Sequence, residues 1–230
     1  MSSDNASLNL TVLTLTPDNV SNTTITSSTG EVLYYVITEH TKKATYTCVR
    51  NAQQEVIASS EWQDVLPDKV TIGNRKPMSL AVWMRRSMIP FKDDISFTDD
   101  QGRKYIWKGN SPGRAFELYT ADDRYTAPIA RFNRSRRIHV DPLATVPSDP
   151  AASVVSLTPT VVDSKGARTP ATLVFLPRAL EIRDLVVVSF LFLEKTHRIN
   201  ETESQNRADV VASPHFAVGT NYVLTNGGVS

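Results

Sequence analysis

The segment that most limits the possible folds is the apolar run at residues 185–193. Every position in it is apolar except Ser189. A helix turns by about 100° per residue, so nine such residues leave no polar face toward solvent. Asp184 and Glu194 bracket the run, which is too short for the roughly 20 apolar residues of a membrane span. The run therefore requires a covering of protein on all sides.

Two features of this segment point to different secondary structures. The consecutive valines at 186–188 favour a buried strand. Glu181 and Asp184 lie near the start of the segment, and His197 lies with basic residues near its end, which matches the charge preference of a helix dipole. The length also exceeds that of an ordinary strand. We therefore predict a buried helix over about residues 178–199.

The rest of the chain is typical of short β-strands. Residues 8–15 alternate apolar and polar side chains, and residues 95–98 and 104–108 flank a loop that contains Gly102, which indicates a hairpin. The remaining predicted strands are 23–26, 32–38, 44–50, 56–65, 69–72, 116–120, 129–132 and 171–176. One short helix is predicted at 79–88, where apolar residues share one helical face between Ser79 and Pro90.

This pattern predicts a mainly β fold in which about twelve strands form a closed β-barrel around the apolar C-terminal helix. Closure would remove the sheet edges and leave an interior for the helix to fill. We expect one domain over residues 8–200. Residues 141–170 contain five of the 13 prolines and are predicted to form a Pro-rich insertion. Residues 201–230 are predicted to be a polar, loose C-terminal tail.

The composition indicates the cellular compartment more clearly than the function. The 230 residues carry a formal net charge of +1, which indicates no strongly charged partner. The single cysteine, Cys48, excludes an internal disulfide framework and suits a reducing compartment. The first ten residues lack the basic and apolar regions of a signal peptide. We therefore expect a cytoplasmic protein, without a transmembrane segment, that is at most peripheral to a membrane.

Several sequence blocks resemble an uncharacterised family abundant in mushroom-forming fungi. That family is placed with the superfamily of Tubby C-terminal, LURP-one-related and phospholipid-scramblase proteins. The matching blocks are 61–66 (EWQDVL), 90–94 (PFKDD), 100–109 (DQGRKYIWKG), 117–120 (ELYT) with Asp122, 129–137 (IARFNRSRR) and 180–194. The resemblance implies a Tubby C-terminal-like barrel and a non-enzymatic module without a cofactor. Tubby-like members bind phosphoinositides through a cationic surface patch, so it also implies an anionic membrane lipid as partner.

The richest cluster of basic residues lies in the block at 129–137 and just after it. Arginine forks match phosphate oxygens, so such a cluster can bind anionic head groups. An ordinary solvated strand end, balanced by nearby aspartates, is the alternative. The predicted anion or lipid site consists of Arg131, Arg134, Arg136, Arg137 and His139, with Lys104 and Lys108 joining it if the strands bring them together, or Arg85 and Arg86 in their place.

Other functions have weaker support in the sequence. Nucleic acid is disfavoured by the near-neutral charge and by the lack of a recognisable motif. The acidic pairs at 93–94, 99–100 and 122–123 fall where turns are expected, and aspartate is favoured in turns. The four histidines have no metal-ligand spacing, so no metal site is predicted. A protein-interaction or scaffold domain remains the alternative to lipid binding, and an enzyme with an unrecognised site is a third hypothesis.

Overall fold

The computed structural model describes residues 10–42, 44–63, 65–89, 92–110, 115–137, 161–163 and 166–212. Antiparallel strands form most of it. The strands are β1 (Thr11–Thr16), β2 (Thr23–Thr26), β3 (Val32–His40), β4 (Thr45–Asn51), β5 (Val56–Trp62), β6 (Lys69–Ile72), β7 (Met78–Ser79), β8 (Arg85–Arg86), β9 (Ile95–Thr98), β10 (Lys104–Lys108), β11 (Glu117–Thr120), β12 (Pro128–Asn133), β13 (Arg136–Arg137), β14 (Val161–Asp163), β15 (Gly166–Thr169) and β16 (Ala171–Phe175).

Helices are few, and one of them dominates. The helices are α1 (Leu80–Trp83), α2 (Pro177–Leu180) and α3 (Arg183–Ala212), and a 3-10 turn spans Ala121–Asp123. The predicted helix at 79–88 is wrong in length, because α1 has four residues and the chain returns to extended structure at β8. The backbone N–H of Met84 bonds to the carbonyl of Leu80 and completes a single helical turn.

Thirteen strands form one antiparallel sheet in the order β7-β6-β5-β4-β3-β2-β1-β16-β12-β11-β10-β9-β8. Strands β7 and β8 are its two edges, and no strand pairing joins them among the described residues. The prediction of a closed barrel is therefore not confirmed. The edges are nevertheless adjacent in the chain, because only α1 and Met84 separate them. We call this gap between the edge strands β7 and β8, which α1 spans, the seam.

The sheet buries one face, and the helix fills the space beside that face. Alternate residues of the strands are buried, as the pleat of a half-buried strand requires. Residues 186–193 of α3 are all at most 4% exposed, so the apolar run is covered on every side as predicted. Aromatic contacts tie the two layers together. The ring of Phe190 lies 4.3 Å from that of Phe132, and the ring of Phe192 lies 5.9 Å from that of Trp62.

Helix α3 is longer than the sequence indicated. The prediction of a loose tail from residue 201 is wrong for residues 201–212, which continue the helix to Ala212, whereas residues 213–230 lie outside the described part. Contacts from Glu201 back to the sheet help hold this extension. The dipole explanation of His197 is also wrong, because His197 is buried in the middle of the helix. No described helix is long and apolar enough to cross a membrane.

A second, smaller sheet continues the ladder of β12 and β16. Strand β13 follows β12 and pairs with β15, which precedes β16, and β15 also pairs with β14. These three strands are called the ribbon below. The ribbon occupies the end of the predicted Pro-rich insertion, and residues 141–160 of that insertion lie outside the described residues. Arg134 and Ser135 connect the ribbon to the main sheet, beside the C-terminal half of α3.

Candidate anion-binding site

The predicted site residues fall into separate places rather than one patch. Arg131 and Lys108 lie on the outer face of the main sheet, Arg134 lies against α3, and Lys104 lies near the seam. The remaining described members, Arg136 and Arg137, belong to the ribbon. His139 lies outside the described residues. Each place has a different electrostatic environment.

Register explains why Arg131 is already neutralised. Lys108 stands opposite Glu117, and Glu117 stands opposite Arg131, so one carboxylate lies between two cations on adjacent strands. The Arg131 guanidinium pairs with Glu117, and the Lys108 ammonium lies 3.9 Å from the centre of the Tyr119 ring. Phe132 is buried and Arg131 is exposed, as the alternation of side chains along a strand requires. This row has a carboxylate of its own and is a weak candidate for binding another anion.

Arg134 is a partly exposed residue with a structural role. Its Nε donates to Glu194 Oε1 at 2.8 Å, its Nη1 donates to both carboxylate oxygens of Glu201 at 2.9 and 3.2 Å, and its Nη2 lies 2.8 Å from His197 Nδ1. Burial opposes the charged form, but the carboxylates of Glu194 and Glu201 raise the pKa of Arg134 above its usual value. The donors of Arg134 are therefore committed to α3.

A second arginine completes this buried cluster. Arg198 Nε donates to the same Oε1 of Glu194 at 2.7 Å, and Arg198 Nη2 donates to Asp18 Oδ1 at 2.5 Å. The other oxygen of Asp18 accepts the backbone N–H of Ser135 at 3.0 Å. The cluster thus joins α3, the start of the ribbon and the loop after β1. Its charges hold the fold together.

The ribbon carries three basic residues for which no ion pair is described. Arg137 stands directly opposite Arg168 in the pairing of β13 with β15, and Arg136 stands opposite Thr169. All three arginines are exposed. Within the described ranges none of them has an ion pair. Like charges directly opposite each other on paired strands repel, so this arrangement concentrates positive charge on the ribbon.

Sequence reasoning missed Arg168. It lies in the region predicted as a Pro-rich insertion, and its relation to Arg137 arises only from the pairing of β13 with β15. The two residues are 31 positions apart in the chain, so no local pattern connects them. The sequence signal that could have indicated β15 is the short segment 166–169, which lies just before the predicted strand β16.

Comparisons with known proteins place the chain in a family without assigning a function. Residues 18–199 match a family of unknown function (DUF6593). The chain belongs to this family. No curated protein matches the chain. A protein from Arabidopsis thaliana, solved by X-ray crystallography, is similar over 79% of this chain and 90% of that chain at 13% identity and a TM-score of 0.38, a level that carries no argument. The resemblance to the Tubby-related superfamily remains a prediction.

Two of the three acidic pairs of this DUF6593 chain have a member that accepts backbone hydrogen bonds in a turn. Asp99 Oδ1 accepts the backbone N–H groups of Gln101 and Arg103, both at 2.9 Å, and Arg103 Nε donates to Asp99 Oδ2 at 2.6 Å. Burial would raise the pKa of Asp99, but the hydrogen bonds from Arg103 and Gln101 outweigh it and lower that pKa. Asp123 likewise accepts the backbone N–H of Ala127 at 3.0 Å. No cluster of metal-ligating side chains occurs among the residues described.

Ser189 forms part of the core. Its Oγ donates to the carbonyl of Val186 at 3.1 Å and accepts the indole N–H of Trp107 at 3.0 Å. The bond to Val186 reaches the carbonyl three residues earlier in the helix. The hydroxyl satisfies the buried indole, which would otherwise lose a hydrogen bond in an apolar interior.

One lysine of α3 is buried. Lys195 Nζ donates to Thr47 Oγ1 at 2.8 Å and lies 4.3 Å from the centre of the Trp62 ring. Burial lowers the pKa of Lys195 to about 8, while the nearby charge of Asp68 acts in the opposite direction. Between about pH 8 and 10.5 the folded chain therefore binds fewer protons at this site than the unfolded chain does. Stability from this residue increases with pH across that window.

We expect Lys195→Met to stabilise the protein at pH 7, where the cost of burying the charge is fully present. The gain should be at most about 3 kcal/mol, and it should shrink as the pH rises toward 10. Denaturant unfolding at pH 7 and pH 10 measures it, with the exposed Lys69→Met as the matched control. A loss of stability of equal size at both pH values would instead show that the contacts with Thr47 and Trp62 dominate.

Proposed function

We propose that this chain is a non-enzymatic binding module that recognises anionic phospholipid head groups, including phosphoinositides, at a membrane surface. The ribbon arginines Arg136, Arg137 and Arg168 form the binding surface. The observation that carries the proposal is the cross-strand pair of Arg137 and Arg168, two exposed arginines that stand directly opposite each other on β13 and β15.

The guanidinium groups of Arg137 and Arg168 repel each other. Opposed like charges cost a few tenths of a kcal/mol to about 1 kcal/mol, and a phosphate placed between them turns that cost into attraction. Guanidinium groups bind phosphate oxygens through paired N–H donors. Each basic residue near an anionic membrane contributes about 1 kcal/mol, so three arginines support a weak and salt-sensitive attachment.

The position of the ribbon suits contact with a flat surface. The ribbon continues the ladder of β12 and β16 beyond the last pair of the main sheet, Asn133 with Thr172. It lies at the end of the sheet where α3 leaves the core, and residues 202–209 of that helix are exposed. An element at the end of the sheet can approach a membrane without the rest of the fold blocking it.

The roles of the polar side chains favour binding over catalysis. Asp99 and Asp123 accept backbone N–H groups in turns, and Ser189 satisfies the indole of Trp107. These are the side chains that would otherwise be the first candidates for acid-base or nucleophilic chemistry. Their structural roles support the assignment of the chain as a binding module.

Sedimentation with liposomes tests the proposal. Liposomes of neutral lipid, of phosphatidylserine and of phosphoinositide are compared at low and physiological salt. The test variant changes Arg136, Arg137 and Arg168 to Ala. The matched control changes three arginines that have carboxylate partners, Arg75, Arg86 and Arg131, so that both variants lose the same charge.

We expect binding to anionic liposomes that weakens with salt, that the ribbon variant loses and that the control variant keeps. Competition with free inositol trisphosphate separates recognition of the head group from attraction to the membrane charge. Equal loss in both variants would overturn the ribbon as the site. Lack of sedimentation with every lipid would overturn lipid recognition.

A second candidate function is a protein-interaction domain. Val65 and Met88 are more than 90% exposed, and Leu66 and Ile89 are more than half exposed beside them. The two loops that carry these residues follow β5 and β8, on either side of the seam. Exposed apolar side chains on neighbouring loops are typical of surfaces that contact other proteins.

A further inference from the structure

A cavity of about 360 Å³ lies at the seam, and it is separate from the ribbon. Strand β8 pairs with only Ile95 and Ser96 of β9, so the rest of β9 has no strand beside it on that side. The residues that line this cavity include Trp83, Arg85, Ser96, Phe97, Thr98 and Lys104. The cavity thus combines a sheet edge, one turn of helix and the face of β9.

Strand register brings two cations to this cavity from opposite sides. Arg85 stands opposite Ser96, and Lys104 stands opposite Thr98. Directly opposed residues share a sheet face, and residues two apart on one strand also share it. The two hydroxyl side chains of β9 therefore lie between the two cations on the same face. Neighbouring strands are about 4.8 Å apart, so long basic side chains can reach one anion from both flanks.

Neither cation is neutralised by the described residues. Arg85 Nε donates to the carbonyl of Val82 at 3.4 Å, which leaves its terminal N–H groups available. Lys104 is exposed and forms no ion pair with a described residue. The neighbouring Arg86, in contrast, is paired with Asp93 at 2.6 Å. Of these two adjacent arginines on β8, only Arg86 is paired with the carboxylate of a described residue.

The apolar side of the cavity is formed mainly by Val82, which is 58% exposed. Trp83 and Phe97 also border it, but they belong to the core and are only 6% and 2% exposed, with their ring centres 6.0 Å apart. The indole nitrogen of Trp83 is buried and has no hydrogen-bond acceptor within the described part of the chain. Ligand sites typically combine such an apolar wall with a few converging polar groups.

We propose that this cavity binds a small aromatic phosphate monoester. The phosphate lies between Arg85 and Lys104, where the guanidinium and the ammonium supply charge-assisted hydrogen bonds. The hydroxyl of Thr98 supplies a further donor, and the aromatic group packs against the exposed side chain of Val82, next to Trp83. A dianionic phosphate fits two cations without a carboxylate better than a singly charged group does. This inference does not depend on the proposed membrane function.

Phenyl phosphate is the probe that tests this inference. Isothermal titration with the full chain measures its affinity, and the tryptophan fluorescence reports on contact with Trp83. The variants are Arg85→Ala and Lys104→Ala, both at exposed positions, and Arg86→Ala is the control that removes the same charge from the same strand. Phenol and inorganic phosphate serve as the two halves of the probe.

We expect phenyl phosphate to bind and to change the fluorescence, and each of the two variants to weaken binding by about tenfold or more. Arg86→Ala should bind as the unchanged protein does, and either half of the probe should bind more weakly than the whole. The Ala triple variant of the ribbon should also bind phenyl phosphate normally, which separates this site from the membrane surface. The inference would be overturned if phenol bound as tightly as phenyl phosphate, or if Arg86→Ala weakened phenyl phosphate binding as much as Arg85→Ala does. It would also be overturned if phenyl phosphate did not bind at millimolar concentrations.

Discussion

Val187→Asp should leave no stably folded protein. Val187 is fully buried in the middle of the apolar run of α3, and the residues from 186 to 193 around it are all buried. A carboxylate there would have no cation within its surroundings and no route to water. An unpaired buried charge costs several kcal/mol, which is comparable to a whole domain stability of about 5–15 kcal/mol.

Thermal denaturation followed by circular dichroism measures this effect. The matched control is Ser204→Asp, which introduces the same group at an exposed position of the same helix. The control should melt within a few degrees of the unchanged protein, because surface substitutions change stability little. A soluble Val187→Asp protein with an unchanged melting temperature would contradict the burial of this helix.

The central helix could be predicted because its signal is local. Nine nearly continuous apolar residues dictate burial wherever they occur, and the structure buries residues 186–193 fully and Leu185 partly. The end of the helix could not be predicted in the same way. Residues 201–207 are all polar, and Glu201 is fixed by Arg134, which lies 67 positions earlier in the chain. Contacts between distant residues decide where such a helix ends.

The strands were predictable from alternation, but the way the sheet ends was not. The hairpin of β9 and β10 is confirmed, and the predicted strands at 116–120 and 129–132 are present as β11 and β12. The apolar spacing at 79–88 indicated a longer helix than α1. In the structure, Arg85 and Arg86 pair with β9 instead, and this local competition between helix and strand creates the seam.

The candidate site shows the same limit. Five basic or titratable residues in nine positions suggested one patch, yet neighbours in sequence point to different surroundings. Arg131 faces Glu117 across the sheet, Arg134 binds Glu194, and Arg137 faces Arg168 on the ribbon. Composition reports how many charges a segment carries, whereas register decides which of them already have a partner.

Arg134→Ala is expected to destabilise the fold by about 3 kcal/mol, which is large for a partly exposed residue. The reason is the carboxylate that it leaves behind. Glu194 is fully buried, and only one of its oxygens has hydrogen-bond partners in the described part of the chain. Removing Arg134 also releases Glu201 and the start of the ribbon. Arg198 still donates to Glu194 at 2.7 Å, which keeps the loss from being larger.

A double-mutant cycle with Glu194→Gln separates this explanation from a general packing defect. If the buried charge causes the loss, Arg134→Ala should cost much less stability in the Glu194→Gln background, since no unpaired carboxylate remains. Urea unfolding gives the four free energies. Arg136→Ala, two residues further along and exposed, is the control and should change stability by less than about 0.5 kcal/mol. A loss of stability for Arg134→Ala as small as that for Arg136→Ala would show that Arg134 belongs with the exposed ribbon arginines. Arg134 would then have to be included in the binding surface.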